Sequence, residues 1–208
     1  MSDSRSYKKD LELAYDADVE RRGAMTPVKW RTDTVDRFAE DIRSCGANVV
    51  LDLGCGTGQL ARYLADQNFD VTAIDLSQAN VEATRSRGVS AKVADFASLP
   101  FADSSFDAAL AMNSLLHVPP DELSDVFTEI SRVLRPGAIM LVVVWGGNTR
   151  EGPIDDEWLD PPRYFSTYSD DALLALETPG FRHIRFETLD LPDEVLDLHS
   201  QILTLEAI

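Results

Sequence analysis

Residues 48 to 64 read NVVLDLGCGTGQLARYL, and this run constrains the fold more than any other. An apolar stretch the length of a buried strand leads directly into glycines at 54, 56 and 58, and Leu60, Tyr63 and Leu64 then recur at helical spacing. A strand, a glycine turn and a helix make a cradle for a nucleotide-like ligand, because glycine admits backbone close to the ligand and the helix start offers free N–H groups. Downstream, apolar runs at about 70 to 75, 90 to 94, 106 to 112 and 138 to 145 alternate with helical patterns. That alternation predicts an α/β fold with a parallel sheet, and near-continuous apolar strands predict helices on both faces.

The helix predicted over about 120 to 134 carries one apolar stripe, Leu123, Val126, Phe127, Ile130, Val133 and Leu134. Pro120, Asp121 and Glu122 suit its first turn, Arg132 and Arg135 suit its end, and Pro136-Gly137 stops it. Ser77 caps a second helix running to about residue 87, with Gly88 placed to terminate it. Strands at about 181 to 188 and 198 to 206 have too short a connection, Pro192 to Asp197, for a crossover helix, so they should pair antiparallel. The expected fold is a single doubly wound seven-stranded, mostly parallel sheet ending in an antiparallel hairpin. Residues 1–46, with helices near 9 to 22 and 32 to 44, are expected to form a helical lid on a core spanning 47–208. The polar stretch from 146 to 168 is expected to be a surface loop bordering the site, followed by a helix over Ser169 to Glu177.

The glycine turn does not match nucleotide-binding patterns that read phosphate. The dinucleotide fingerprint G-x-G-x-x-G requires glycine at 59, where Gln59 stands. No Gly-Lys-Ser or Gly-Lys-Thr follows, and Asp52 would repel a phosphate. Three successive strands instead end in Asp52, Asp75 and Asp95, at the carboxyl edge where open α/β sheets bind ligands. Asp75 follows Gly54 at the distance usual for a carboxylate that accepts from ribose hydroxyls.

The order VLDLGCGTG, VTAIDLS, VADFASLPF, then SSFDAALAMNSLLHVP and RVLRPG, resembles the class I S-adenosylmethionine-dependent methyltransferases, near their small-molecule branch, over about residues 48 to 145. Ala138 stands where that family often has the second glycine of R-P-G-G. The resemblance implies a Rossmann-like methyltransferase fold and S-adenosylmethionine as cofactor, with S-adenosylhomocysteine as product. It places Gly54, Cys55, Gly56 and Gly58 under the methionine part, Asp52 at the amino end, and Asp75 on the ribose. It places Asp95 on the adenine amino group, Leu76 and Phe96 beside the ring, Asn113 near the sulfonium, and Tyr15 over the methionine pocket.

With 19 Lys and Arg against 36 Asp and Glu, the net charge of -17 disfavours nucleic acid. No signal-peptide pattern or membrane-length apolar run occurs, so a cytoplasmic protein without a membrane partner is expected. Cys45 and Cys55, and His117, His183 and His199, have no ligand-like spacing, so no metal is expected. His117, just beyond the fourth strand, is the candidate acid-base group for an N or O nucleophile, and His199 a weaker one. Asp155, Asp156, Trp158, Arg163, Tyr164 and Phe165 are candidates to line the acceptor pocket, with the first three suiting a cationic or aromatic acceptor. The acceptor is read as a small molecule or a peptide end, in metabolism or natural-product biosynthesis, and the chain as a monomer or homodimer. Two other classes remain open: a catalytically silent, cofactor-binding regulatory protein, and an NAD-dependent reductase.

Overall fold

The computed structural model describes residues 4–154, 159–190 and 198–208. Asp155, Asp156, Trp158 and the Pro192 to Asp197 connection lie outside them. The strands are β1 (Val49–Leu53), β2 (Asp70–Asp75), β3 (Ser90–Val93), β4 (Phe106–Met112), β5 (Leu134–Gly146), β6 (Arg150–Ile154), β7 (Arg163–Thr167), β8 (Phe181–Asp190) and β9 (His199–Ala207). The helices are α1 (Ser4–Ala17), α2 (Val19–Ala24), α3 (Lys29–Ser44), α4 (Gln59–Asp66), α5 (Gln78–Ser86), α6 (Leu123–Val133) and α7 (Asp170–Leu174), with a 3₁₀ turn at Leu115–His117.

Seven strands form one sheet in the order β3-β2-β1-β4-β5-β9-β8. The first five are mutually parallel, while β9 runs antiparallel between β5 and β8. Period-2 alternation sends neighbours to opposite faces. Leu51 and Leu53 pack with α6 residues Val126, Phe127 and Ile130, whereas Val50 packs with α3 residues Val35, Phe38 and Ile42 and with Leu64 of α4. Both faces are thus covered, as parallel strands require. Strand order reverses between β1 and β4, which opens the crevice where such sheets bind ligands.

Two expectations need correction. The 146 to 168 stretch is not all loop: β6 and β7 pair antiparallel from Arg150↔Thr167 to Ile154↔Arg163, with every residue of β7 but Tyr164 buried and Phe165 in the core. Strand β5 begins at Leu134 rather than 138, pairing Leu134 with Phe106 across an irregularity next to Pro136-Gly137. Within residues 1–46, α3 packs on the sheet through Val35, Phe38 and Ile42, while Arg31 near its start joins residues of α1 and α2 in lining the ligand edge. Elsewhere the local chemistry follows the sequence, as where Ser77 Oγ accepts from the Asn80 N–H (3.0 Å).

Two glycines separate backbone strain from collision. Gly58 and Gly137 both sit at positive φ, +77 and +83, but a Cβ on Gly58 would come within 2.8 Å of the Thr84 Cα, and nothing lies within 4 Å of one on Gly137. Gly58→Ala should destabilise by about 2 to 4 kcal/mol, strain plus overpacking, and Gly137→Ala by about 1 kcal/mol, strain alone. Urea unfolding of both variants measures the difference, and equal losses would contradict the close packing of the turn on α5.

Candidate functional site

A cavity of about 450 Å³ opens at the carboxyl edge of β1, β2 and β4, beneath α1 and α2. Its volume is that of an ordinary small-molecule site. Gly54, Cys55, Gly56, Asp52, Asp75, Leu76, Phe96, Asn113, Tyr15 and His117 all line it. Gly58 lies one step behind as the residue before α4, in left-handed conformation. Gly54 must be glycine, since at φ +75 a Cβ would sit 2.4 Å from the Ser114 Cβ.

Asp75 organises the turn. Its Oδ2 accepts from the Gly56 N–H (2.8 Å), and its Oδ1 accepts from the Ser77 N–H (2.9 Å) and Asn80 Nδ2 (3.2 Å). Burial raises its carboxyl above the usual range, while these three donors pull it back. Each carboxylate oxygen has two lone pairs, so acceptor capacity remains for a ligand. Asp52 lacks such support: its Oδ2 is buried without a partner, and burial together with the nearby Asp75 charge pushes it up to about 7.

Further polar atoms lining the cavity have no partner among the described residues, namely Asn80 Oδ1, both amide atoms of Asn113, and Ser114 Oγ. Asn113 also holds φ at +54, a conformation that asparagine tolerates better than most residues but that carries some strain. Buried polar atoms left without partners are costly, so a row of them around a glycine turn fits a polar ligand.

His117 does not present a free nitrogen to the cavity. Its Nδ1 lies 2.7 Å from the Tyr164 carbonyl, which can only accept, so Nδ1 carries the hydrogen and Nε2 accepts from the Tyr15 hydroxyl at 2.6 Å. Arg163 Nη1 donates to the same hydroxyl (3.2 Å). Burial, then the charges of Arg163 and Arg22, push the imidazole down to about 3, against the stabilising Tyr164 contact. The ring is therefore neutral and a weak base.

Other expected site residues are placed differently. Asp95 does not line the cavity; its Oδ2 pairs with Lys8 Nζ (2.8 Å) and its Oδ1 accepts from the Ala97 N–H (3.0 Å). His199 pairs with Asp170 (2.8 Å) away from the cavity wall. Arg163 and Phe165 line the cavity, but the Tyr164 hydroxyl turns to Glu151 Oε1 (2.7 Å). Arg22, Arg31 and Trp145 line it too, unanticipated because they belong to no motif. Arg31 Nε is buried without a hydrogen-bond partner, and burial and the neighbouring Arg22 lower the Arg31 pKa. No group of three or more His, Cys, Asp or Glu among the described residues could hold a metal, and no helix among them is long and apolar enough to cross a membrane.

Residues 50–137 match a family described as a methyltransferase domain. The chain is 32% identical over 142 residues to an O-methyltransferase of Aspergillus nomiae, covering 64% of this chain and 61% of that protein. It is 35% identical over 118 residues to a botryococcene C-methyltransferase of Botryococcus braunii, covering 52% and 31%. The chain thus spans between about a third and three fifths of the length of these curated relatives. Among solved structures, the 1,6-didemethyltoxoflavin-N1-methyltransferase of Burkholderia thailandensis, with bound 1,6-didemethyltoxoflavin and S-adenosylhomocysteine, superposes with a TM-score of 0.74. It covers 100% of this chain and 91% of that one at 22% identity, a likeness of fold.

The neutral imidazole has a measurable consequence for stability. Between its ordinary 6.5 and about 3, the unfolded chain binds a proton at His117 that the folded chain does not, so acidification removes stability at up to about 1.4 kcal/mol per pH unit. Asp52 acts the opposite way between its ordinary 3.8 and about 7, because there the folded chain holds the extra proton, and the two offset each other in the wild type. Comparison with His117→Gln isolates the first: from pH 6 to pH 4 the wild type should lose roughly 1.4 kcal/mol per unit relative to the variant. A pH-independent difference in denaturant unfolding would contradict the buried neutral ring.

Proposed function

Since the chain belongs to the class I S-adenosylmethionine-dependent methyltransferases, we propose that it transfers a methyl group from S-adenosylmethionine to a small-molecule or peptide-derived acceptor. The nucleophile is nitrogen or oxygen, and the setting is cytoplasmic metabolism or natural-product biosynthesis. Support comes chiefly from the unpartnered buried atoms of Asp52, Asn80, Asn113 and Ser114 around the glycine turn, which a bound polar ligand would satisfy. The relatives do not narrow the acceptor atom, since their names include O-, C- and N-methylation.

When bound, S-adenosylmethionine supplies an electrophilic methyl group on a sulfonium. Gly54, Cys55, Gly56 and Gly58 cradle its methionine part, Asp75 takes the ribose hydroxyls with its remaining lone pairs, and Leu76 and Phe96 flank the adenine. Asp95 takes the adenine amino group once Lys8 gives way at the rim. Asp52 faces the amino end and Asn113 the sulfonium. Arg31, a cation whose buried Nε has no hydrogen-bond partner among the described residues, holds the methionine carboxylate. Tyr15 closes the pocket, and His117 acts as the positioning residue that fixes its hydroxyl. Alignment and exclusion of water supply the acceleration.

A cell extract incubated with the protein and methyl-labelled S-adenosylmethionine should yield a labelled acceptor; tight cofactor binding without transfer would instead favour the silent regulatory protein. Arg31→Ala should weaken S-adenosylhomocysteine binding roughly 10- to 100-fold, the worth of a charge-assisted hydrogen bond. Unchanged affinity by calorimetry would remove Arg31 from the site. Asp52 should also report binding: protonated below about pH 7 in the free protein, it loses its proton when a cationic amino group arrives. Calorimetry at pH 6 in buffers of different ionisation heat should show proton release on binding, and affinity should rise toward pH 7. No proton release would place the amino end elsewhere.

A further inference from the structure

Gln59 stands where a dinucleotide fingerprint would have glycine, and the structure gives its side chain a different task. Its Nε2 donates to the Arg22 carbonyl (3.1 Å) and to the Met25 carbonyl, at the end of α2. Arg87, just past α5, reaches the same place: its Nη2 donates to the Gly23 carbonyl (3.0 Å) and its Nε to the Thr57 carbonyl (2.8 Å) in the glycine turn. A helix end leaves carbonyls without intrahelical donors, and here two side chains from beside the glycine turn supply them. Gln59 opens α4 directly after Gly58, so both ties join α2 to the turn itself.

Little apolar burial backs these ties. No residue from Val19 to Val28 is buried, and Met25 and Val28 are 53% and 50% exposed. By contrast, α1 buries Leu11 and Ala14, and α3 buries Val35, Phe38 and Ile42. Yet Arg22, Met25 and Val28 line the cavity, so the part of the cover with the least buried surface lies directly over it.

Resting on the cavity's reading as an S-adenosylmethionine site, we infer that Gln59 and Arg87 are positioning residues that latch α2 to the glycine turn, and that α2 is the gate through which the cofactor enters and its product leaves. Segments with few buried apolar contacts and solvent-accessible hydrogen bonds open at the lowest cost. A ligand that needs the open state binds at a rate scaled by the population of that state. The latch holds α2 shut whether or not the cavity is filled, so loosening it speeds entry and exit together and leaves affinity nearly level. A residue that only supported the bound cofactor would instead speed exit alone.

The test uses the full chain, immobilised for surface plasmon resonance with S-adenosylhomocysteine as the analyte. Arg87→Met should raise the association and dissociation rate constants together, each roughly tenfold, the worth of a charge-assisted hydrogen bond, with Kd within about threefold of wild type. Arg87→Lys, which can still reach one carbonyl, should fall between the two. Gln59→Leu should act in the same sense more weakly, and supplies an independent reading should Arg87→Met not fold. Hydrogen exchange of the ligand-free proteins reads the latch without the cofactor. Residues 18–28 should exchange roughly tenfold faster in Arg87→Met, while α3 and β1 exchange as in wild type, which also shows the variant to be folded. Unchanged association rate constants, or unchanged exchange over 18–28, in the folded variants would overturn the gate. Absence of S-adenosylhomocysteine binding to the wild type would overturn the cofactor reading and the gate's ligand with it, while the exchange result would still decide the latch.

Discussion

The hydrogen bond from the Gly56 N–H to Asp75 Oδ2 fixes the glycine turn to the end of the neighbouring strand, and the rest of the site depends on it. The turn after β1 and the turn after β2 would otherwise be independent loops. One buried carboxylate joins them by accepting from Gly56 on one side and from Ser77 and Asn80 on the other. Such bonds are stronger for an ionised acceptor in a poorly solvated place, so the three donors offset part of the burial that raises the Asp75 pKa. The parallel register of β1 and β2, Asp52 opposite Ala73 and Leu53 opposite Ile74, brings the two turns within reach.

That rigid floor contrasts with a cover made of polar contacts. Helix α1 is tied down through Lys8 to Asp95, Tyr7 to Glu122, Asp16 to the start of α5 and Tyr15 to His117, and α2 through the Arg87 guanidinium to the Gly23 carbonyl. Few apolar side chains of α1 or α2 are buried in the core, Leu11 and Ala14 being the described ones. A cover held by exchangeable hydrogen bonds can part and reform at lower cost than one held by apolar burial, which suits a cavity that must admit a ligand.

Charge is distributed against the average of the chain. A net charge of -17 would suggest an acidic site, yet Arg22, Arg31 and Arg163 gather on one cavity wall. Their effect is local because fields from exposed carboxylates are screened within about 8 Å at physiological salt, whereas partly buried charges are not. Within the cavity burial first, then Arg163 and Arg22, keep His117 neutral, and Arg163 lies over the Phe165 ring that stacks on Trp145.

The sequence by itself determined the strands of the sheet, its terminal hairpin, and the glycine and aspartate positions at its edge, because these depend on residues close in the chain. Alternation, caps and a glycine turn are local physics, and they place Asp52, Asp75 and Gly54 without knowledge of anything distant. Only the tertiary structure decided which charge meets which. Lys8 reaches Asp95 across 87 positions and Tyr15 reaches His117 across 102, so neither the neutrality of His117 nor the place of Asp95 at the rim could be read from spacing. The β6–β7 pair was hidden for a similar reason: its strands are short, polar and aromatic, and they form because Phe165 is drawn into the core beneath them. Arg22 and Arg31 belong to no motif, and their role arises from where α2 and α3 set them against the turn that the sequence did reveal.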